Sequence, residues 1–307
     1  MRQVVNTIVP VFAVIVLGWV LRTREFFPPQ MLASLNRMVY YFAIPAMIFR
    51  EVAGAEFLLH FNLALLCSSL IPVVIVFFLA LFVVKITAVP LSSAGTFVQS
   101  AYHGNLGYIG LAVVYYFLGD IGFRSASILA GFLMILQNLL SVLALQWFNE
   151  KTNGRHNPWF FIKKIIGNPV VCSALVGIFF SILRIPIPEI INRGLKIVSG
   201  MALPLALLII GASLSFALIR SHFRLVLGAG AFKLVALPLL GLIAYRRLGI
   251  PACQFLPGLI LLACPTATIA YVMATEMNGS PDLASAAVST NTLASCLTFI
   301  LWLGLFA

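Results

Sequence analysis

The strongest constraint on this chain of 307 residues is a succession of continuous apolar runs. A helix that spans a bilayer needs about 20 apolar residues, and the runs are of that size. Only 9% of the residues are charged, against about 25% in a typical soluble domain, so a water-soluble fold would lack a polar surface. The alternating pattern of transmembrane β-strands is absent. The sequence therefore predicts an all-α integral membrane protein.

We predict ten transmembrane helices in two halves of five. The spans lie at 4–21, 31–50, 61–84, 93–118, 125–147, 163–183, 190–214, 223–245, 253–275 and 283–305. The longest polar connection, 149–162, is expected to be a cytoplasmic loop between a first five-helix repeat at 1–148 and a second at 163–307. Because five is an odd number, the second half enters the membrane from the opposite side, and any repeat is inverted.

A shift of 159 residues aligns the two halves at three prolines and one glycine. The coincident pairs are Pro10 with Pro169, Gly18 with Gly177, Pro29 with Pro188 and Pro45 with Pro204. Inverted repeats with discontinuous helices are a common architecture of secondary transporters. The coincidence therefore favours a transporter.

The fourth and ninth spans are interrupted, and each is the penultimate span of its half. The fourth contains Gly104, Gly107 and Gly110, and the ninth contains Cys264-Pro265. Proline removes a backbone hydrogen bond, and freed backbone at membrane depth is tolerated only against protein or a watery cavity. Two opposed breaks would bring half-helix ends together at the midplane, where N-terminal ends favour an anionic group. The alternative is that both breaks are ordinary kinks.

The segment Gly104–Leu111 resembles the fourth-span motif of the auxin efflux carrier family, whose bacterial members include malonate and other organic-acid carriers. The segments Pro265–Val288, Asn168-Pro169 and Ala202–Leu205 are similar to further parts of that pattern. The resemblance implies a sodium/proton-antiporter-like fold in which spans 4 and 9 cross at their breaks. It also implies a scaffold of spans 1, 2, 6 and 7, a mobile transport unit of spans 3–5 and 8–10, and a homodimer formed through the scaffold.

The third span departs from the plant members of this family. Plant members carry a carboxylate there, whereas this chain has Cys67-Ser68-Ser69. Ion coupling through a third-span carboxylate is therefore not expected. A cation/proton antiporter of similar fold would also need a buried acid, which the predicted spans lack.

Polar residues around the two breaks form the candidate substrate-binding site. Asn105 either donates its side-chain amide to a substrate carboxylate or caps the broken helix. A polar pair in the fifth span, Gln137-Asn138, has a counterpart in the tenth, Asn291-Thr292, and these pairs either belong to the site or bridge helices. The complete candidate set is Tyr102, His103, Gly104, Asn105, Gln137, Asn138, Pro265, Thr266, Thr268, Asn291 and Thr292.

Lys233 lies near the middle of the predicted eighth span. A charge at that depth is costly and should face the bundle interior or a cavity. Two interpretations remain open: Lys233 neutralises the substrate carboxylate, or it braces the carbonyl ends of the broken helices. Bracing would also explain how the crossover stays folded without a bound cation.

The sequence lacks the residue groupings of an enzyme. It has no nucleophile–base set, metal-ligand cluster or phosphate-binding glycine loop, so neither a cofactor nor a metal is expected. The net charge of +11 comes from basic residues scattered between apolar runs, which does not indicate nucleic-acid binding. The leading hypothesis is a secondary transporter that moves a small organic anion across the lipid bilayer by an elevator-type alternating-access mechanism. The alternative is a non-transporting membrane sensor or partner-binding subunit of the same fold.

The expected location is the cell membrane, crossed many times, and by the family resemblance a bacterial inner membrane. Basic residues are almost equally distributed between the two sides, so the positive-inside rule barely discriminates. The basic central loop and the family resemblance favour both termini outside.

Overall fold

The computed structural model describes residues 1–54, 62–87, 89–148 and 169–306, and these residues are almost entirely helical. The helices are α1 (Arg2–Thr23), α2 (Pro29–Met38), α3 (Ile44–Ala53), α4 (Leu63–Ile86), α5 (Leu91–Tyr102), α6 (Leu111–Trp147), α7 (Pro169–Ile182), α8 (Glu189–Ser199), α9 (Ala202–Ser213), α10 (Phe223–Ala231), α11 (Leu237–Arg247), α12 (Ala252–Ala263), α13 (Ile269–Glu276) and α14 (Pro281–Gly304). Short π-helical segments are Val39–Ala43, Leu106–Gly110 and Phe232–Ala236. The predicted central loop at 149–162 and the predicted start of the sixth span at 163–168 lie outside the described residues.

Seven helical stretches of the described residues are long and apolar enough to cross a membrane. They are Arg2–Thr23, Gln30–Ala53, Leu63–Ile86, Leu106–Trp147, Glu189–Ser213, Phe223–Arg247 and Pro281–Gly304. The helices Pro169–Ile182 and Ala252–Ala263 are also apolar but shorter. The prediction of an all-helical, multi-pass membrane protein is therefore confirmed, whereas the count of ten spans and the inverted repeat stay predictions.

The stretch Leu106–Trp147 is too long for a single span. Its 42 residues would measure about 63 Å, roughly twice the hydrocarbon thickness of a bilayer. Gly119 interrupts it with a φ of 66° and a ψ of −164°, a conformation that glycine adopts more readily than other residues. The interruption falls where the sequence predicts the connection between the fourth and fifth spans.

Close helix pairs characterise the part of the fold that corresponds to the predicted scaffold. Helix α1 packs along α9, and α3 packs along α7. A Cβ atom at Gly18 would lie 2.1 Å from the carbonyl oxygen of Leu208, and one at Gly211 would lie 1.8 Å from the carbonyl oxygen of Ile15. Small residues let helix backbones approach in a membrane, where van der Waals packing holds helices together. The α1–α9 crossing is therefore a direct backbone-to-backbone contact.

The helices of the predicted transport unit pack around the two interrupted spans. Helix α5 contacts α4, α6 and α10, while α12 contacts α6, α11 and α14. In the predicted third span, the buried Ser69 hydroxyl lies 2.8 Å from the hydroxyl of Tyr245 on α11. The separate movement of this unit stays a prediction.

A buried carboxylate at the end of α3 joins this helix to α6. Glu51 is 8% exposed and forms ion pairs with the adjacent Arg50 and with Arg124, whose Nε lies 3.7 Å from Glu51 Oε2. Removing one member of a poorly solvated ion pair leaves its partners without a counter-charge. The contact should therefore contribute to stability more than an exposed ion pair does.

Replacing Glu51 with glutamine is expected to destabilise the detergent-solubilised protein by about 1 kcal/mol, because Arg50 and Arg124 lose their counter-charge while the side-chain volume is kept. Glu189→Gln is the matched control, because the Glu189 side chain is 75% exposed. Its ion pair with Arg193 should contribute less than about 0.5 kcal/mol to stability. The melting temperatures of the wild type and both variants measure these losses of stability. Equal melting temperatures for the two would contradict the assignment.

Candidate functional site

The first break separates α5 from the helical run that leads into α6. Helix α5 ends at Tyr102, and the chain leaves the helical conformation through His103 and Gly104. Asn105 starts the next helical run, and its Oδ1 accepts a hydrogen bond from the backbone N–H of Tyr108 at 3.3 Å. The oxygen of the Asn105 side-chain amide therefore caps the helical run, as the capping alternative proposed.

The second break separates α12 from α13. Helix α12 ends at Ala263, and Cys264 has an extended backbone with a φ of −64° and a ψ of 150°. Pro265 follows and has no N–H to continue the helix. The helix resumes at Ile269, after Thr268.

The two breaks face each other and pair through their backbones. The N–H of Asn105 donates to the carbonyl of Pro265 at 2.7 Å, and the N–H of Ala267 donates to the carbonyl of His103 at 2.9 Å. Gly104 and Thr266 thereby form an antiparallel bridge. Backbone groups that the breaks release from the helices satisfy one another, as a membrane interior requires.

A polar side chain from the neighbouring helix supports each break. Gln137 of α6 accepts a hydrogen bond from the N–H of Gly104 at 3.1 Å. Asn291 of α14 donates through Nδ2 to the hydroxyl of Thr266 at 2.8 Å, and that hydroxyl donates to the carbonyl of Ser100 at 3.0 Å. The two sequence-related polar pairs thus each contribute one residue to the crossover.

The aromatic pair at the end of α5 is held by a serine of α6. Nδ1 of His103 lies 2.8 Å from the hydroxyl of Ser141, and the Tyr102 hydroxyl lies 3.0 Å from the same atom. The two rings are nearly parallel, with an interplanar angle of 5°. The Tyr102 side chain is fully buried in this network. Tyr102 therefore fixes the end of the half-helix.

A cavity of about 940 Å³ lies beside the crossover. Five of the predicted site residues line it: His103, Gly104, Asn105, Asn138 and Thr268. The other predicted site residues are not among its described lining: Tyr102, Gln137, Pro265, Thr266, Asn291 and Thr292. Pro265 and Thr266 are buried, and their polar groups serve the bridge between the breaks.

The opposite wall of the cavity comes from α2 and the π-helical segment that follows it. Asn36 and Tyr40 line this wall, and the hydroxyl of Tyr108 donates across to Asn36 Oδ1 at 2.7 Å. Neither residue was among the predicted site residues. A polar asparagine inside an apolar span was the available signal, but the sequence does not show which helix it faces.

One hydrogen-bond donor at the cavity is unused. Asn105 is 6% exposed, and its Nδ2 has no hydrogen-bond partner among the described residues. The charged residues that line the cavity within the described ranges are Glu276 and Asp282, which are exposed at its mouth, and no Lys or Arg side chain of these ranges lines it. The deep part of the cavity is therefore free of Lys, Arg, Asp and Glu side chains among the described residues, and Asn105, with its buried Nδ2, belongs to its lining.

Lys233 lies behind the crossover, in the π-helical segment Phe232–Ala236. Its side chain is fully buried, and Nζ donates to the carbonyl of Leu262, in the last turn of α12, at 2.6 Å. This is the contact that the bracing interpretation requires, although the role itself stays a prediction. Lys233 is not among the described residues that line the cavity.

Metal-ion binding has no candidate group in the part of the chain that the structure describes, where no three His, Cys, Asp or Glu side chains lie together. The polar atoms at the crossover are amide, hydroxyl and backbone groups, with the imidazole of His103 and the ammonium group of Lys233 beside them. Such groups bind and orient a ligand by hydrogen bonds.

Apolar spanning helices, two of them broken and paired beside a cavity, define a multi-pass membrane transport protein. The chain belongs to the family described as membrane transport protein, which it matches over residues 3–303. The family resemblance found in the sequence is thereby confirmed. The protein is a transporter and not an enzyme.

Individual relatives agree with this assignment. A protein named "Putative malonate transporter" from Rhizobium meliloti (strain 1021) is 22% identical over 315 residues, which cover 97% of this chain and 94% of the relative. An "Uncharacterized transporter" from Methanothermobacter thermautotrophicus is 22% identical over 302 residues, covering 97% of this chain and 96% of the relative. "Auxin efflux carrier component 1" from Arabidopsis thaliana is 30% identical over 132 residues, covering 41% of this chain and 21% of the plant protein.

Proposed function

We propose that this protein is a secondary transporter that moves a small organic anion, a carboxylate, across the cell membrane and binds it at the crossover of the two broken helices. The observation that carries the proposal is the amide of Asn105. Asn105 lines the cavity, its amide oxygen caps a helix, and its Nδ2 is buried without a partner among the described residues. A buried donor without an acceptor costs about 1–3 kcal/mol, and a bound carboxylate would supply the acceptor.

The helix ends at the cavity support an anionic substrate. The run that begins at Leu106 and helix α13 both start beside the cavity, and Thr268 and Ile269 at the start of α13 line it. The N-terminus of a helix carries a partial positive charge and unsatisfied N–H groups. The two starting helices therefore favour a carboxylate over a cation at the crossover.

The position of the cavity supports alternating access. One wall belongs to α2, in the predicted scaffold, and the other belongs to the broken helices of the predicted transport unit. The mouth of the cavity carries Glu276, at the end of α13, and Asp282, at the start of α14. Glu51 lies near the end of α3, at the far end of the helical run that begins with α2. An elevator-type movement of the transport unit along the scaffold would carry the crossover from one face to the other. With both termini outside, the mouth in this structure faces the cytoplasm.

The homodimer formed through the scaffold and the location in a bacterial inner membrane remain part of this proposal on the strength of the family resemblance. The relative named for malonate suggests a short dicarboxylate as the first probe. Malate, lactate and indole-3-acetate extend the panel in size and charge.

Flux of labelled carboxylates into proteoliposomes tests the proposal. We expect saturable uptake of at least one anion of the panel, competed by its unlabelled form and absent from protein-free liposomes. No flux of any of the four anions, together with retained binding, would contradict transport and favour the alternative of a non-transporting sensor or partner-binding subunit. Flux of a cation instead would contradict the anion assignment.

A further inference from the structure

A buried cation lies directly behind the cavity wall. Gly104 lines the cavity, and a Cβ atom placed on it would lie 3.2 Å from Lys233 Nζ and 2.7 Å from Cys264 Sγ. The wall at this point consists of backbone alone, because no side chain fits between the crossover and the ammonium group. We propose that Lys233 sets the charge selectivity of the cavity through Gly104, favouring anions without contacting the substrate.

Within the described ranges, the charge of Lys233 has no carboxylate to balance it. Among the Lys, Arg, Asp and Glu side chains of the described ranges, Lys233 and Glu51 are the buried ones. Glu51 is paired with two arginines, whereas no carboxylate in those ranges lies within ion-pair distance of Lys233 Nζ. The contact that Nζ makes is with the carbonyl of Leu262, a dipole without net charge. An anion in the cavity would supply the missing negative charge.

The distance from Lys233 Nζ and the effective dielectric constant set how strongly Lys233 attracts an anion in the cavity. A carboxylate lying against Gly104 would be about 7 Å from Nζ, and at an effective dielectric constant of about 20 the attraction at that distance corresponds to a factor on the order of fifty in affinity. No lysine or arginine of the described residues lines the cavity, so among these residues Lys233 is the buried cation that can act on an anion there. The inference rests on the proposed function and deepens it: Asn105 recognises the shape of a carboxylate, and Lys233 recognises its charge.

Lys233→Gln separates the effect of the charge from the effect of the hydrogen bond to Leu262. Glutamine can still donate a hydrogen bond toward the carbonyl of Leu262, but it carries no charge. Lys85→Gln is the matched control because Lys85 is exposed in the last turn of α4. The probes are two pairs of similar shape, malonate with malonamide and lactate with lactamide, and binding to the purified protein is measured by calorimetry.

We expect Lys233→Gln to weaken binding of the carboxylates about ten- to fiftyfold and to leave the amides nearly unchanged, so that the ratio between the two falls. Lys85→Gln should keep the wild-type ratio. A purely structural role for Lys233 would weaken both members of a pair equally. An unchanged carboxylate-to-amide ratio in folded Lys233→Gln would overturn the inference.

A second variant covers the case in which Lys233→Gln does not fold. Gly104→Ala combined with Cys264→Ala removes the closest contact and adds one methyl group on the Lys233 side of the wall, 3.2 Å from Nζ, so that the ammonium group has to move away from the cavity. The carboxylate-to-amide ratio should fall about two- to threefold, because the charge moves farther from the anion. An unchanged ratio would again overturn the inference.

The two proposals fail in different ways. If the wild-type protein neither binds nor transports any carboxylate of the panel, the proposed function fails and this inference fails with it. If the wild type transports carboxylates but the Lys233 variant keeps their preference over the amides, only this inference fails.

Discussion

Gly211→Ala is expected to remove most of the folded protein. The new Cβ would lie 1.8 Å from the carbonyl oxygen of Ile15 and close to the backbone of Trp19, so α1 and α9 would have to separate. Overpacking usually costs 1–3 kcal/mol. Here a Cβ atom would clash with main-chain atoms of α1, and no side-chain rotation can relieve such a clash. We expect a loss of about 3 kcal/mol or more, measured as folded yield and melting temperature in detergent.

Gly194→Ala is the matched control. A Cβ atom at Gly194 would meet no atom within 4 Å, and alanine is the better helix former by about 1 kcal/mol. This variant should melt at the wild-type temperature or slightly above it. Wild-type stability of Gly211→Ala would mean that the α1–α9 crossing is looser than the structure describes.

Asn105→Asp is expected to abolish transport while the protein stays folded. The aspartate keeps an oxygen that can accept from the N–H of Tyr108, but it loses the Nδ2 donor and adds a negative charge where the substrate carboxylate would bind. Loss of a hydrogen bond to a charged group costs about 1.5–3 kcal/mol, and repulsion adds to it. Flux and affinity for carboxylates should therefore fall by at least about a hundredfold.

Asn62→Asp provides the control for capping. Asn62 caps α4 in the same way, by accepting from the N–H of Leu65 at 3.1 Å, but it does not line the cavity. Flux should be unchanged in this variant. Asn105→Ala, which removes both the cap and the donor, should lose binding as completely as Asn105→Asp. Normal transport by Asn105→Asp would show that the unpartnered amide is not a substrate ligand.

The local features of the site were predictable because they depend on neighbours in sequence. Glycines around position 104 and the proline at 265 interrupt their helices where predicted, since the backbone properties of these residues act locally. Ser280 caps α14 by accepting from the N–H of Leu283 at 3.3 Å, and a serine followed by proline at a helix start is a signal of the same local kind. The mid-span position of Lys233 likewise followed from counting residues along one helix.

The contacts between helices could not be read from the sequence. Asn36 and Tyr40 line the cavity, and Asn36 accepts a hydrogen bond from Tyr108 after the first break, but helix periodicity does not specify such a partner. Pro265 and Thr266 were predicted to line the cavity, yet their polar groups are used in the bridge to the other break. A residue whose polar group could bind a substrate can therefore lie outside the cavity lining when that group forms a hydrogen bond within the crossover.

The backbone bridge between the two breaks has a consequence for how such proteins diversify. The hydrogen bonds that join Asn105 to Pro265 and Ala267 to His103 are made by main-chain atoms, so their geometry does not depend on the side chains at most of these positions. Substitutions around the cavity can alter the preferred cargo without first disturbing the crossing. A fold of this kind can change its cavity lining by single replacements and keep the same crossing of the two breaks.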